Sequence, residues 1–73
     1  MILSARFVRR TRRRYVCDWC ERGIVGALIY LYGMAEIGQR PYPLRYHVRC
    51  VQEHFNPTGK FRAALAQAES ETP

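Results

Sequence analysis

Three cysteines and two histidines are the side chains of this 73-residue chain best suited to holding a metal, and their spacing sorts them into pairs. Cys17-x2-Cys20 is followed, after 26 residues, by His47-x2-Cys50. An odd number of cysteines cannot close a disulfide framework, whereas three thiolates and one imidazole make a complete metal site. Two intervening residues let a tight turn aim Cys17 and Cys20 at one ion. The same spacing on a helix puts His47 and Cys50 side by side, one turn apart. Gly23, just past the first pair, suits a turn whose amides point at thiolate sulfur. Four ligands fill a tetrahedron and leave no open position, so the expected ion is a structural Zn2+. Two alternatives stand beside this reading. His54, four residues beyond Cys50 on the same helix face, can replace His47, although His47 is preferred because it opens the helix. The Cys-x-x-Cys pair alone also suits thiol–disulfide chemistry, but no βαβ pattern surrounds it.

The elements of the chain must bring the two pairs together. Residues 1–14 carry arginines without a helical apolar stripe and are expected to form a flexible basic arm that becomes extended near Tyr15-Val16. The stretch Ile24 to Tyr32, rich in β-branched and aromatic residues and bracketed by Gly23 and Gly33, reads as a strand, with a buried helix as the alternative that periodicity leaves open. Gly38 to Pro43 is a turn, since Pro41 and Pro43 bar a helix, and Leu44 to Tyr46 returns as the second strand of a hairpin. His47 to Phe55 places His47, Cys50, Val51 and His54 on one helix face. After Asn56-Pro57, Thr58 can cap a last helix over residues 60–69, with Phe61, Ala64, Leu65 and Ala68 as its apolar stripe. The expected fold is a small zinc-stabilised α+β domain over residues 15–69: knuckle, β-hairpin and one or two short helices. The arm precedes it, and residues 70–73 form a disordered tail.

Size and charge restrict the function classes. A chain this short buries only roughly 60–65% of the surface it exposes when unfolded, so a metal supplies cohesion that the core lacks. The apolar fraction of 48% opposes wholesale disorder. Catalytic pockets of ~300–1,000 Å³ need walls that one small core rarely provides, so an enzyme is not expected. The nine apolar residues from Ile24 to Tyr32 fall short of the ~20 that a membrane-spanning helix needs. The formal charge is +6, and Arg6, Arg9, Arg10, Arg12, Arg13 and Arg14 sit in a segment with no acid before Asp18. Guanidinium groups pair bidentately with phosphate or carboxylate, so these residues are expected to hold a DNA or RNA backbone or an acidic protein groove, without reading base sequence. Phe7 and Tyr15 can stack on bases of a single strand. Trp19, between two ligands, is expected on the surface or against the second helix. Tyr30 and Tyr32, two apart on a strand, share a face, which becomes a docking patch wherever it is open.

Cys17-x2-Cys20 together with Tyr46-His47-Val48-Arg49-Cys50 resembles the treble-clef arrangement of knuckle, hairpin and helix. Its ligand order and long central spacer are similar to those of poly(ADP-ribose) polymerase-type zinc fingers, over residues 15–55. That resemblance implies a zinc domain whose His-x-x-Cys segment opens a helix and which binds DNA breaks. In size and arginine bias the chain also resembles, in type, small phage-encoded regulators of host RNA polymerase, which remodel initiation or suppress termination. The resulting expectation is a monomeric, non-enzymatic regulator docked on a transcription complex, in the cytoplasm or, in a eukaryote, the nucleus. Arg6 to Arg14, Trp19, Tyr30 and Tyr32 would contact RNA polymerase or its nucleic acid. A stand-alone DNA- or RNA-binding zinc finger is the second expectation, and a protein-binding adaptor the third.

Overall fold

The computed structural model describes residues 2–33 and 38–71. Leu3, Ala5 and Phe7 alternate with Ser4, Arg6 and Val8, and this period of two folds as a strand, β1 (Ile2–Val8). Short strands β2 (Tyr15–Val16) and β3 (Gly23–Ile24) follow, then β4 (Leu28–Gly33) and β5 (Tyr42–Tyr46). Helices α1 (Val48–His54) and α2 (Gly59–Glu71) complete the chain. Strands β1, β4 and β5 form an antiparallel sheet with β4 in the centre, and β2 and β3 pair as a separate two-stranded ribbon.

The flexible arm expected over residues 1–14 is therefore not what forms. Its first half is an edge strand, with Arg6 opposite Tyr30 and Phe7 opposite Ile29. The remainder is tied down as well. The Thr11 amide donates to the Gly26 carbonyl at 3.0 Å, and Arg9 Nε meets Glu71 Oε2 at 2.7 Å. The physical reason lies in β4, whose backbone groups need a partner on both sides: β5 covers one edge and β1 the other. The ion pair also bears on the tail. Helix α2 runs to Glu71, beyond the expected end at Glu69, with the Ser70 hydroxyl donating to the Gln67 carbonyl at 2.9 Å. Thr72 and Pro73 lie outside the described residues.

The single strand expected over Ile24 to Tyr32 is two strands, interrupted at Val25–Ala27, where Gly26 takes φ +89°. That left-handed residue lets the chain leave the ribbon and enter the sheet. Strand β5 begins at Tyr42, earlier than Leu44, and accommodates Pro43 because an edge strand tolerates a missing N–H. The hairpin of β4 and β5 is present, with Tyr30 opposite Arg45 and Leu31 opposite Leu44.

One face of the sheet carries the helices. Ile29 and Leu31 of β4 pack with Val51 of α1 and with Phe61, Ala64 and Leu65 of α2; Ala5, Leu44, Tyr46 and Phe55 lie at the margin. The stripe read from the sequence of the last helix is the buried set of α2, Phe61, Ala64, Leu65 and Ala68. Each fully buried large aliphatic side chain contributes about 1.5–3 kcal/mol by leaving water, so this layer is the principal apolar support. A second, smaller cluster of Cys17, Ile24 and Leu28, with Val8, Tyr15, Cys20 and Cys50 around it, joins the ribbon to the sheet. Tyr46 touches both clusters. The opposite face of the sheet carries Ser4, Arg6, Tyr30, Tyr32, Pro43 and Arg45 by strand alternation and register, and among the described residues both helices pack on the Ile29 and Leu31 face instead. Among the described residues, no helix is long and apolar enough to cross a membrane.

Candidate functional site

Cys17 and Cys20 lie in the turn between β2 and β3. That turn is closed by the Cys17 amide on the Arg22 carbonyl at 2.9 Å and by the Glu21 amide on the Cys17 carbonyl at 3.0 Å. The residue that takes positive φ is Glu21, at 63°, and not Gly23, which belongs to β3. His47 is the N-cap of α1, extended at φ −60° and ψ 141°, and its carbonyl accepts the Val51 amide to close the first turn. Cys50 follows on that turn. The register of β4 and β5 thus delivers the second pair of ligands to the first.

The donor atoms of Cys17, Cys20, His47 and Cys50 all lie within 4.8 Å of one another. His47 Nδ1 is 3.3 Å from Cys20 Sγ and 3.7 Å from Cys50 Sγ. A tetrahedral ion with metal–sulfur bonds of about 2.3 Å and metal–nitrogen bonds of about 2.0 Å sets sulfur and nitrogen about 3.5 Å apart, so the group has the dimensions of a metal site. His47 Nε2–H donates to the Gly23 carbonyl at 3.0 Å, which leaves the Nδ1 lone pair for the metal. The amides of Trp19 and His47 approach Cys17 Sγ at 3.4 and 3.5 Å, and such donors stabilise a thiolate. His54 is not a member of the group. It stacks on Trp19, with ring centroids 5.3 Å apart, and its Nε2 is 3.8 Å from Glu53.

Electrostatics within the group ask for a cation. Burial acts to raise the Cys17 pKa, but amides of Cys20, His47 and Trp19 and the Cys20 thiol outweigh it and bring the group down to about 6. Burial and the neighbouring sulfurs of Cys20 and Cys17 push Cys50 up to about 12. Three thiols so close cannot all ionise unaided, and a divalent ion supplies the charge that lets them. All three cysteines are free of disulfides, as the metal reading needs.

A second concentration of chemistry lies on the uncovered side of the sheet. Arg6, Arg10, Arg12 and Arg45 surround a hollow of about 270 Å³, with Tyr15 and Tyr30 on its walls and Val8 and Leu28 among its lining. The Arg45 guanidinium sits 4.3 Å from the Tyr15 ring centre and 5.4 Å from that of Tyr30, and Arg6 lies 5.2 Å from Tyr30. Among the described residues, none of these four arginines pairs with a carboxylate, since the ion pairs engage Arg9, Arg49, His54 and Arg62. Four cations without counter-ions raise a positive potential in a concave site, which favours an anionic ligand.

The six arginines of residues 6–14 separate into groups. Arg6, Arg10 and Arg12 face the hollow, Arg9 holds the end of α2, and Arg13 and Arg14 flank a smaller depression beside Ile24 and Gly26. Trp19 is 50% exposed, and it packs on the end of α1, through His54 and Phe55, rather than on α2. Tyr30 and Tyr32 share the uncovered face, as expected, with ring planes within 10° of parallel. Phe7, considered as a base-stacking residue, faces the opposite way with Ile29. Arg45 is the residue that sequence reasoning passed over. Its signal was the alternation Tyr42-Pro43-Leu44-Arg45-Tyr46, which puts it on the face of Tyr30 once the hairpin register is known. Compared with known proteins, the chain matches no family model, no curated protein and no solved structure.

Proposed function

We propose that this protein is a zinc-stapled, non-enzymatic module that holds the phosphate backbone of nucleic acid. The observation that carries the reading is the hollow ringed by Arg6, Arg10, Arg12 and Arg45 with no carboxylate partner among the described residues. Zinc is the ion favoured by three thiolates and one imidazole at tetrahedral spacing, and four protein ligands make its role structural. The ion fixes the ribbon that carries Tyr15 and so holds one wall of the hollow in place. Guanidinium groups then contact phosphate oxygens bidentately, positioning the nucleic acid without reading its sequence.

The test is fluorescence anisotropy of labelled oligonucleotides against salt. Three or four phosphates neutralised by the arginines give a log–log slope of roughly −2 to −4. Arg6→Gln combined with Arg12→Gln removes two of those contacts and flattens the slope by about 1.4–1.8. Binding that is absent at low salt, or a slope unchanged by the double substitution, overturns the reading. The ligand order of the poly(ADP-ribose) polymerase-type fingers makes nicked and blunt-ended duplexes natural members of the probe set.

A second reading, docking on RNA polymerase within a transcription complex, draws support from Trp19, a half-exposed aromatic of the type that anchors protein interfaces. Recovery of polymerase subunits after nuclease treatment, lost on Trp19→Ser, supports it. Loss of every partner with nuclease returns the function to nucleic acid alone.

A further inference from the structure

We infer that the uncovered face of the three-stranded sheet is a stacking platform for single-stranded nucleic acid, with Tyr30 and Tyr32 receiving bases while Arg6 and Arg45 take the flanking phosphates. The inference rests on the nucleic-acid reading above and narrows it to one class of strand.

The argument begins with register. Arg6, Tyr30 and Arg45 stand in one row across β1, β4 and β5, and Ser4, Tyr32 and Pro43 stand in the next row on the same face. The central strand therefore carries two aromatic rings: the Arg6 and Arg45 guanidinium groups lie over the Tyr30 ring, 5.2 and 5.4 Å from its centre, and Tyr32 is the more open of the two. Tyr30 and Tyr32 are parallel within 10°, and their centroids are 6.5 Å apart. That separation is close to two base-stacking steps of about 3.4 Å. Tyr32 is 36% exposed, large for an aromatic on a central strand. Among the described residues no acidic side chain belongs to either row, and the Asp18 carboxylate lies at the β5 edge, where its Oδ2 accepts the Arg45 amide at 2.7 Å.

Duplex does not suit this geometry. Paired bases hide their π-faces within the stack, so tyrosine rings gain nothing from a rod whose accessible surface is phosphate and sugar. A single strand exposes both features at once. Its bases stack on tyrosine, its phosphates meet arginine, and the hollow of about 270 Å³ beside Tyr30 is of a size for one nucleotide rather than a double helix. The platform tolerates any base, because each has a π-face. DNA and RNA share this chemistry, and the choice between them is read from the probes.

The experiment compares the full chain with zinc bound on labelled dT12, rU12 and a 12-base-pair duplex at 50–200 mM salt, with free nucleoside monophosphate as competitor. Single strands are expected to bind at least tenfold more tightly than duplex, and whichever of dT12 and rU12 binds better names the natural strand. Tyr32→Leu and the double variant Tyr30→Leu/Tyr32→Leu weaken single-strand binding by about 5- to 150-fold per lost stack, while the corresponding phenylalanine variants retain it. Metal content and circular dichroism check each fold, and Tyr32, being partly exposed, gives a variant that folds even where the double one does not. Equal binding of duplex and single strand with indifference to leucine overturns the inference and leaves the phosphate reading standing. Nucleoside monophosphate binding as tightly as the 12-mer also overturns it, in favour of a small ligand. Absence of binding to all probes overturns both readings together.

Discussion

His47 and Gly23 are joined by a hydrogen bond from imidazole Nε2–H to the backbone carbonyl, 3.0 Å long, and this contact decides which ring nitrogen faces the cysteines. Gly23 belongs to β3, on the ribbon that carries the first ligand pair, whereas His47 caps α1 with the second pair. The bond thus crosses between the two halves of the metal site and orients one ligand before any ion arrives.

Exchange of the two histidines is the sharpest check on this assignment. His47→Ala removes the nitrogen donor and lowers metal content well below one equivalent, while His54→Ala leaves a full equivalent bound and loses the stacking on Trp19 and the contact with Glu53. Elemental analysis after desalting reads both. Loss of metal from the His54 variant instead would refute the ligand set.

Metal removal is expected to unfold the ribbon and then the domain. Cys17 is both a member of the proposed ligand set and, at 0% exposure, part of the smaller core with Ile24 and Leu28, so its release dissolves the cluster that joins ribbon to sheet. Structural zinc contributes apparent free energies of about 10–16 kcal/mol in small zinc domains, more than a chain of this size can replace. Excess chelator should abolish the cooperative thermal transition, and Cys50→Ser should do the same without chelator. A transition unchanged by chelator would mean that the apolar layer stands alone.

The ligand set was legible because spacing alone constrains it: the x2 separations fix local geometry, and Cys17, Cys20, His47 and Cys50 meet as expected. The hairpin and the buried stripe Phe61, Ala64, Leu65 and Ala68 were legible for a similar reason, since their periodicity is local. Strand β1 was hidden by composition. Its alternation of Leu3, Ala5 and Phe7 with Ser4 and Arg6 was present, but Arg9 to Arg14 dominated the reading of the whole segment as an arm. The hollow could not be read at all, because it depends on β1 pairing with β4 across the inserted ribbon, a contact between residues far apart in the chain. Arg45 became a site residue only through that topology.

Deleting residues 2–8 should therefore unfold the domain rather than merely weaken partner binding. The deletion exposes the edge of β4 and strips Ala5 from the margin of the main core. Ile29→Ala, a buried truncation in the same layer, costs about 2–5 kcal/mol and serves as a scale. Arg9→Ala removes only an exposed ion pair with Glu71 and destabilises far less than either. Urea denaturation of the three variants checks the order. A folded deletion variant with native stability would restore residues 2–8 to an arm.

Metal binding should release protons, and its pH dependence follows from the two displaced thiols. In the metal-free arrangement Cys17, at about 6, is largely ionised at pH 7, whereas Cys50, at about 12, carries its proton. Zinc requires both as thiolates, so at least the Cys50 proton leaves when the ion enters. Between pH 7 and 9 the apparent affinity then rises at least about tenfold per pH unit, and as pH falls through 6 the Cys17 proton competes too and steepens the loss. Calorimetric zinc titrations in buffers of different ionisation enthalpy measure the protons directly. An observed enthalpy that does not vary with buffer would show that no proton is displaced, and Cys50 would then not be a thiolate ligand.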